Sequence, residues 1–352
     1  MEQPQKFLYT FDDVLIVPAR SSIEPGAASL GTIVARGFSI HRPFLSAAMD
    51  RVTDEKMAIA LGKAGGLGVI HRNCTISEEA AMVKKAKQAG VQVAASCGPF
   101  DVERAKALAK AGVDVIVIDC AHGHNMNVLK SARSIKQMVK KTKLMMGNIA
   151  TGQAARDIIA MRFADALKVG VGPGSICTTR IVSGVGVPQL SAVIDVVAAA
   201  KKAGVPVIAD GGMRTSGDIA KALAAGASAV MLGNLFAGTK EAPGKVVVRK
   251  GKKFKEYRGM GSKAVIESSS GGSRYLTKGR KAVPEGVEAL IPYGGTVEDI
   301  VAELSSGVQV SMGYVGAKSI PDFHKKAKFV RVTLASTAES RPHSLSEIID
   351  DE

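Results

Sequence analysis

Eight short apolar runs, each followed by a stretch of helical periodicity, constrain this chain more than any other feature. The runs are "FLSAAM" (44–49), "LGVI" (67–70), "VQVAAS" (91–96), "DVIVID" (114–119), "KLMMGN" (143–148), "ALKVGV" (166–171), "PVIAD" (206–210) and "AVMLG" (229–233). Between them lie helical segments such as "SEEAAMVKKAKQAG" (77–90), "DVERAKALAKAG" (101–112), "QLSAVIDVVAAAKKAG" (189–204) and "SGDIAKALAAGA" (216–227). Several close on glycine, which tolerates the left-handed conformation that ends a helix. Strands alternating with helices read as βαβ units of a parallel sheet. Eight units in about 200 residues predict an α/β fold of the (β/α)8, or TIM barrel, type. A doubly wound open sheet is the competitor. It is disfavoured because the count closes at eight and no strand precedes a full GxGxxG fingerprint with its distant acidic residue.

Composition agrees. The 352 residues are 46% hydrophobic but only 4% aromatic, with no tryptophan, so Val, Ile, Leu, Ala and Met must fill the core, as around buried parallel strands. The opening "MEQPQKFLYTFDDVLIVPAR" carries acidic residues and no long apolar run, and no segment reaches the length of a membrane span. A cytoplasmic location and no membrane partner are expected. The four cysteines, Cys74, Cys97, Cys120 and Cys177, are far apart and form no CxxC pair, which predicts free thiols rather than a zinc site or a disulfide framework. The net charge of +15 is concentrated in "KVVVRKGKKFKEYR" (245–258) and "HKKAKFVR" (324–331). It reads as a solvated basic face, and nucleic-acid binding is not favoured because no recognition motif accompanies it.

After the eighth run the pattern breaks. Residues 235–295 are rich in Gly, Ser, Lys and Pro and too long for an ordinary connection, which predicts a lid. Within it "VVV" and "FKEY" suggest a hairpin, "ESSSGGSRYLTKGRK" reads as mobile, and "TVEDIVAELSSG" (296–307) predicts a last helix that completes the wall. The whole of 1–352 is expected to be one catalytic domain.

In such a barrel the chemistry sits at the C-terminal ends of the strands. "GVGPGSICTTR" after the sixth run bares main-chain amides that can approach a phosphate or a cation, although the loop alone reads equally as a tight turn. "ADGGMR" and "LGN" follow the seventh and eighth runs, where barrels commonly bind phosphate, so Ser175, Gly212 and Gly233 are expected to converge on one phosphate. Asp210 is expected to face outward toward ribose hydroxyls. The bland alternative makes it the cap of the helix near Ser216. Cys177 follows a glycine loop where packing has little use for a thiol, which favours a nucleophile, with Thr178 and Thr179 as relays.

These stretches, with "YRGMGS", "VPEGVEA" and the opening "FDDVLIVPA…SAAMDRVTD", closely resemble the IMP dehydrogenase and GMP reductase family over almost the whole chain. The resemblance implies a barrel that binds a purine nucleotide, a cysteine that attacks C2 of the base, and a nicotinamide cofactor. Cys177 is then the nucleophile, with Ser46, Met49, Ser175, Asp210, Gly212, Gly233, Asn234, Tyr257, Gly259, Met260 and Gly261 on the substrate. Asp119, Cys120, Ala121, Asn148, Gly170 and Gly172 fall on the cofactor side. Gly172, Gly174 and Cys177 match a loop that offers carbonyls to potassium, completed by Glu339, Ser340 and Arg341 of a neighbouring subunit in a homotetramer. Two departures stand out: the chain runs on past the second strand where dehydrogenases insert a regulatory pair of CBS modules, and Asn234 stands where they usually place serine.

Two directions of reaction remain. Absence of CBS modules suits GMP reductase, which uses NADPH to convert GMP to IMP. Arg274 and Tyr275 in "GGSRYL", the loop "DCAHGH" and the tail "ESRPHSL" resemble the dehydrogenase, which oxidises IMP to XMP with NAD. The dehydrogenase is favoured, with Glu285, acting through Thr179, and Arg274 as rival proton acceptors. A noncatalytic purine-nucleotide or RNA-binding relative is the reading from another class, and the intact Cys177, Thr179 and Glu285 set speaks against it.

Overall fold

The computed structural model describes residues 7–267 and 283–342. Its centre is a closed ring of parallel strands: β1 (Phe44–Ser46), β2 (Leu67–Ile70), β3 (Val93–Cys97), β4 (Val115–Asp119), β5 (Lys143–Ile149), β6 (Ala166–Val169), β7 (Val207–Asp210) and β8 (Ala229–Leu232). Each pairs with the next, and β8 returns to β1 with Leu232 beside Ser46, so the sheet closes and the open-sheet alternative is excluded. The first strand is shorter than predicted. Ala47–Met49 leave the ladder in a tight turn, Met49 N donating to Ala47 O at 2.8 Å, and so reach the mouth of the barrel.

Helices α1 (Glu55–Lys63), α2 (Ile76–Gln88), α3 (Val102–Lys110), α4 (Met126–Met138), α5 (Gly152–Ala160), α6 (Gln189–Ala200), α7 (Ser216–Ala224) and α8 (Val297–Val315) surround the ring. Their starts are written locally. Asp54, Thr75, Asp101, Asn125, Thr151, Thr215 and Thr296 each stand at an N-cap and accept main-chain amides of the first turn. Thr75 with Glu78, and Thr296 with Asp299, complete capping boxes. The strands are buried on both faces, one against the helices and one toward the axis, where Leu45, Leu67, Val69, Val117, Met145 and Met231 pack. A hairpin, Thr32–Ala35 with Phe38–Ile40, plugs the N-terminal end by adding Val34, Ala35 and Ile40 to that interior. Polar groups are thereby left to the other end.

α8 runs past the predicted stop at Gly307 and ends at Gly316, whose φ is +72°. Gly307 is in the helix for contact: a Cβ there would lie 2.2 Å from Ser216 Oγ at the start of α7. Between β8 and α8 the excursion is a sheet rather than a hairpin. Strand β9 (Val246–Arg249) pairs with β10 (Lys252–Arg258), and β11 (Glu288–Pro292) adds on the other side of β10. Part of the basic run is structural: Lys255 is buried, and its Nζ donates to the carbonyls of Thr239 at 2.8 Å and Lys240 at 3.3 Å, and to that of Ala242. A short N-terminal strand, Val14–Ile16, pairs antiparallel with Phe329–Arg331. No helix among the described residues is long and apolar enough to cross a membrane.

Candidate active site

The C-terminal ends of the strands open into a cavity of about 480 Å³. Cys177 lines it, partly exposed, while Cys97 and Cys120 are buried in the barrel wall; none of the four cysteines forms a disulfide. Sequence gave Cys177 a loop, and the structure gives that loop a partner. Glu285 N donates to Gly261 O at 2.9 Å, Val287 N to Ile176 O at 3.1 Å, and Thr178 N to Glu285 O at 2.9 Å, so the returning flap is laced to the loop after β6.

The lacing delivers a carboxylate to the thiol. Thr179 Oγ1 lies 3.2 Å from Cys177 Sγ and 2.6 Å from Glu285 Oε2. A hydroxyl has one hydrogen, and a carboxylate only accepts, so Thr179 donates to Glu285 and accepts from the thiol. The chain of bonds therefore runs from S–H through O–H to carboxylate.

A second group gathers at the side formed by the loops after β6 and β8. Asn234 Nδ2 donates to Ser175 Oγ at 3.4 Å, and Tyr257 lines the same part of the cavity. Burial pushes the Tyr257 phenol up to about 12, so it stays a neutral donor at any ordinary pH. Its hydroxyl approaches Met49 Sδ at 3.9 Å. Gly233 is required here by proximity, because a Cβ would fall 2.7 Å from that hydroxyl. Gly212, with φ +84°, turns the chain after β7 in a conformation that side chains resist, and Gly259, Met260 and Gly261 line the same cavity. The capping alternative for Asp210 is overturned: Thr215 caps α7, whereas Asp210 Oδ2 accepts Asn148 Nδ2 and Lys168 Nζ, each at 2.8 Å, and lines the cavity.

Asp119, Ala121, Asn148, Gly170 and Gly172 also line the cavity. Two expected contacts do not reach the cavity surface. Ser46 is wholly buried, its Oγ hydrogen-bonded to Thr53 Oγ1 at 2.8 Å, and Cys120 donates its thiol to Gly147 O at 3.3 Å inside the wall. Both lie at strand ends, but their side chains point into packing rather than into the mouth. Arg274 and Tyr275 lie outside the described residues, as does most of the stretch read as mobile. Glu339, Ser340 and Arg341 sit exposed at the C-terminal helical turn and are not among the residues lining the cavity. In the glycine loop the carbonyls of Gly172 and Cys177 accept no hydrogen bond among the described residues, whereas that of Gly174 accepts Cys177 N at 3.1 Å. Two unused carbonyl oxygens suit a hard cation; the third is engaged.

Sequence reasoning missed Lys168 and the N-terminal wall of the cavity, Thr10, Phe11 and Asp12. Lys168 is hidden in an apolar strand. The quoted "FDDVLIVPA" carried the signal for the wall, without saying where the segment lies.

Residues 8–343 match the family model described as the IMP dehydrogenase / GMP reductase domain. The inosine-5'-monophosphate dehydrogenase of Methanocaldococcus jannaschii is 39% identical over 97% of this chain and 96% of its own length. That of Borreliella burgdorferi is 41% identical over 96% of this chain and 97% of its own, and that of Cryptosporidium parvum 39% over 97% and 96%. The M. jannaschii alignment spans 476 positions against 352 residues here, so that relative carries stretches with no counterpart in this chain.

Proposed function

Because the chain belongs to the IMP dehydrogenase / GMP reductase family, we propose that it oxidises IMP to XMP, with NAD as the hydride acceptor, through a covalent bond to Cys177. The observation that carries this reading is the directed chain of hydrogen bonds from the Cys177 thiol through Thr179 to the Glu285 carboxylate at the edge of the cavity.

The phosphate of IMP binds among Ser175, Asn234, Tyr257 and the turns at Gly212 and Gly233, and Asp210 accepts the ribose hydroxyls. That anchorage holds the purine over Cys177, with Met49, Gly259, Met260 and Gly261 around it. Sulfur adds to C2 as the thiol proton passes toward Glu285 through Thr179. The expelled hydride leaves a thioimidate on Cys177, so one difficult oxidation becomes two easier steps. Bound on the side of Asp119, Ala121, Asn148, Gly170 and Gly172, NAD supplies the hydride acceptor. Water then attacks C2, the C–S bond breaks, and the thiol and XMP are released. Once the thiol's proton has passed from Glu285 to solvent, Glu285 through Thr179 takes the water's proton, and a proton returns to the sulfur as the C–S bond breaks. Arg274 and Tyr275 are the other candidates for activating that water.

A potassium ion on the carbonyls of Gly172, Gly174 and Cys177 would fix the loop that carries the nucleophile. Glu339, Ser340 and Arg341 of a neighbouring copy in a tetramer would complete its shell. The free carbonyls of Gly172 and Cys177 support this site.

The test is optical. Purified protein with IMP and NAD+ should produce NADH. Consumption of NADPH with GMP instead would make it a reductase, and silence in both assays would leave only a binding protein.

A further inference from the structure

Lys168 lies in β6 with 2% of its surface exposed. A charge in such a place is costly unless it is paired. Its Nζ lies 2.8 Å from Asp210 Oδ2, 3.2 Å from Asp119 Oδ1, and against Asn148 Oδ1. Asn148 completes the ring by donating Nδ2 to Asp210 Oδ2 at 2.8 Å and also to Gly170 O at 2.8 Å. Four consecutive strands contribute one member each: Asp119 from β4, Asn148 from β5, Lys168 from β6 and Asp210 from β7.

The proposed reaction gives the two carboxylates different ligands. Asp210 is assigned to IMP, and Asp119 to NAD. One ammonium between them leaves the cluster with a single net negative charge. Replacing it by an apolar chain would leave two like charges facing one another, and a proton would settle on one of them. A carboxyl that holds a proton has lost part of its capacity to accept hydrogen bonds from ribose hydroxyls.

We propose that Lys168 is a positioning residue that joins the two nucleotide half-sites, holding Asp210 and Asp119 in place with one shared ammonium so that substrate and cofactor binding depend on the same side chain. The proposal rests on the dehydrogenase reading and deepens it.

The experiment measures kcat and the KM for IMP and for NAD+ between pH 6 and pH 9. It compares the wild type, Lys168→Met, and Lys168→Met combined with Asp119→Asn. The single variant is expected to raise both KM values about tenfold or more, and to add an ionisation to the pH profile of kcat/KM that the wild type lacks. The double variant restores the net charge of the cluster, so it is expected to recover the KM for IMP while that for NAD+ stays high. This comparison also serves if the single variant fails to fold. Overturning results would be a single variant that moves only one KM or neither, or a double variant whose KM for IMP remains as poor as its KM for NAD+. Wild-type protein silent with IMP and NAD+ would refute the reaction itself, whereas normal wild-type turnover with unmoved variants would refute the role of Lys168 alone.

Discussion

Thr179 donates its hydroxyl hydrogen to Glu285 at 2.6 Å, joining residues 106 positions apart in the chain. That bond makes the flap part of the nucleophile's environment. If Glu285 takes the proton, Glu285→Gln keeps the shape and loses the base. The expected result is a kcat lowered by about 10²-fold or more with the affinity for IMP little changed. Steady-state kinetics beside an IMP titration checks it, and an unaltered kcat would remove Glu285 from the mechanism.

Gly233 is where the phosphate side is tightest. A methyl group there would lie 2.7 Å from the Tyr257 hydroxyl and 3.3 Å from Met49 Sδ. Gly233→Ala must displace the Tyr257 hydroxyl, and the KM for IMP is expected to rise about tenfold through the hydrogen bond Tyr257 would otherwise give the phosphate, with the KM for NAD+ nearly unchanged. A rise confined to NAD+ would mean that the two ligand assignments have been exchanged.

Asp50, just after the turn that leaves β1, anchors β10 of the flap. Its carboxylate accepts Arg258 Nε at 3.1 Å and Asn73 Nδ2 at 2.7 Å, and it pairs with Arg258 Nη2. Burial pushes the carboxyl up, but the hydrogen bonds from Arg258 and Asn73 and the guanidinium charge outweigh it and hold it below 3.8. A depressed carboxyl contributes stability that is present above its unfolded value and lost as pH falls through the folded one. Asp50→Asn is therefore expected to cost about 2 kcal/mol at pH 7, with the gap to the wild type narrowing below pH 3.8. Denaturant unfolding at both pH values measures it, and parallel stability curves would show that the pair does not titrate with folding.

The barrel was legible because its signals are local. Eight short apolar runs, polar caps such as Thr75 and Thr215, and glycines at helix ends all report on neighbours in sequence. The nucleophile loop was legible for the same reason, since glycines and a thiol with no packing role stand together between Gly170 and Cys177. What failed depends on distant partners. Gly307 reads as a helix stop until Ser216 is known to press against it, and Lys255 reads as a surface charge until three carbonyls are found around it. Ser46 and Cys120 stand at the right ends of their strands, yet side-chain direction within one residue of a strand end is set by Thr53 and Gly147, which the sequence does not place nearby. Lys168 was missed because one polar residue in an apolar strand carries no mark of the two carboxylates that compensate it.

The most direct measurement is NADH production from IMP and NAD+ by Cys177→Ser. Hydroxyl is a far weaker nucleophile than thiolate at this position, so the account predicts turnover reduced by at least about a thousandfold while IMP still binds. Turnover at the wild-type rate would show that no bond forms between Cys177 and the purine.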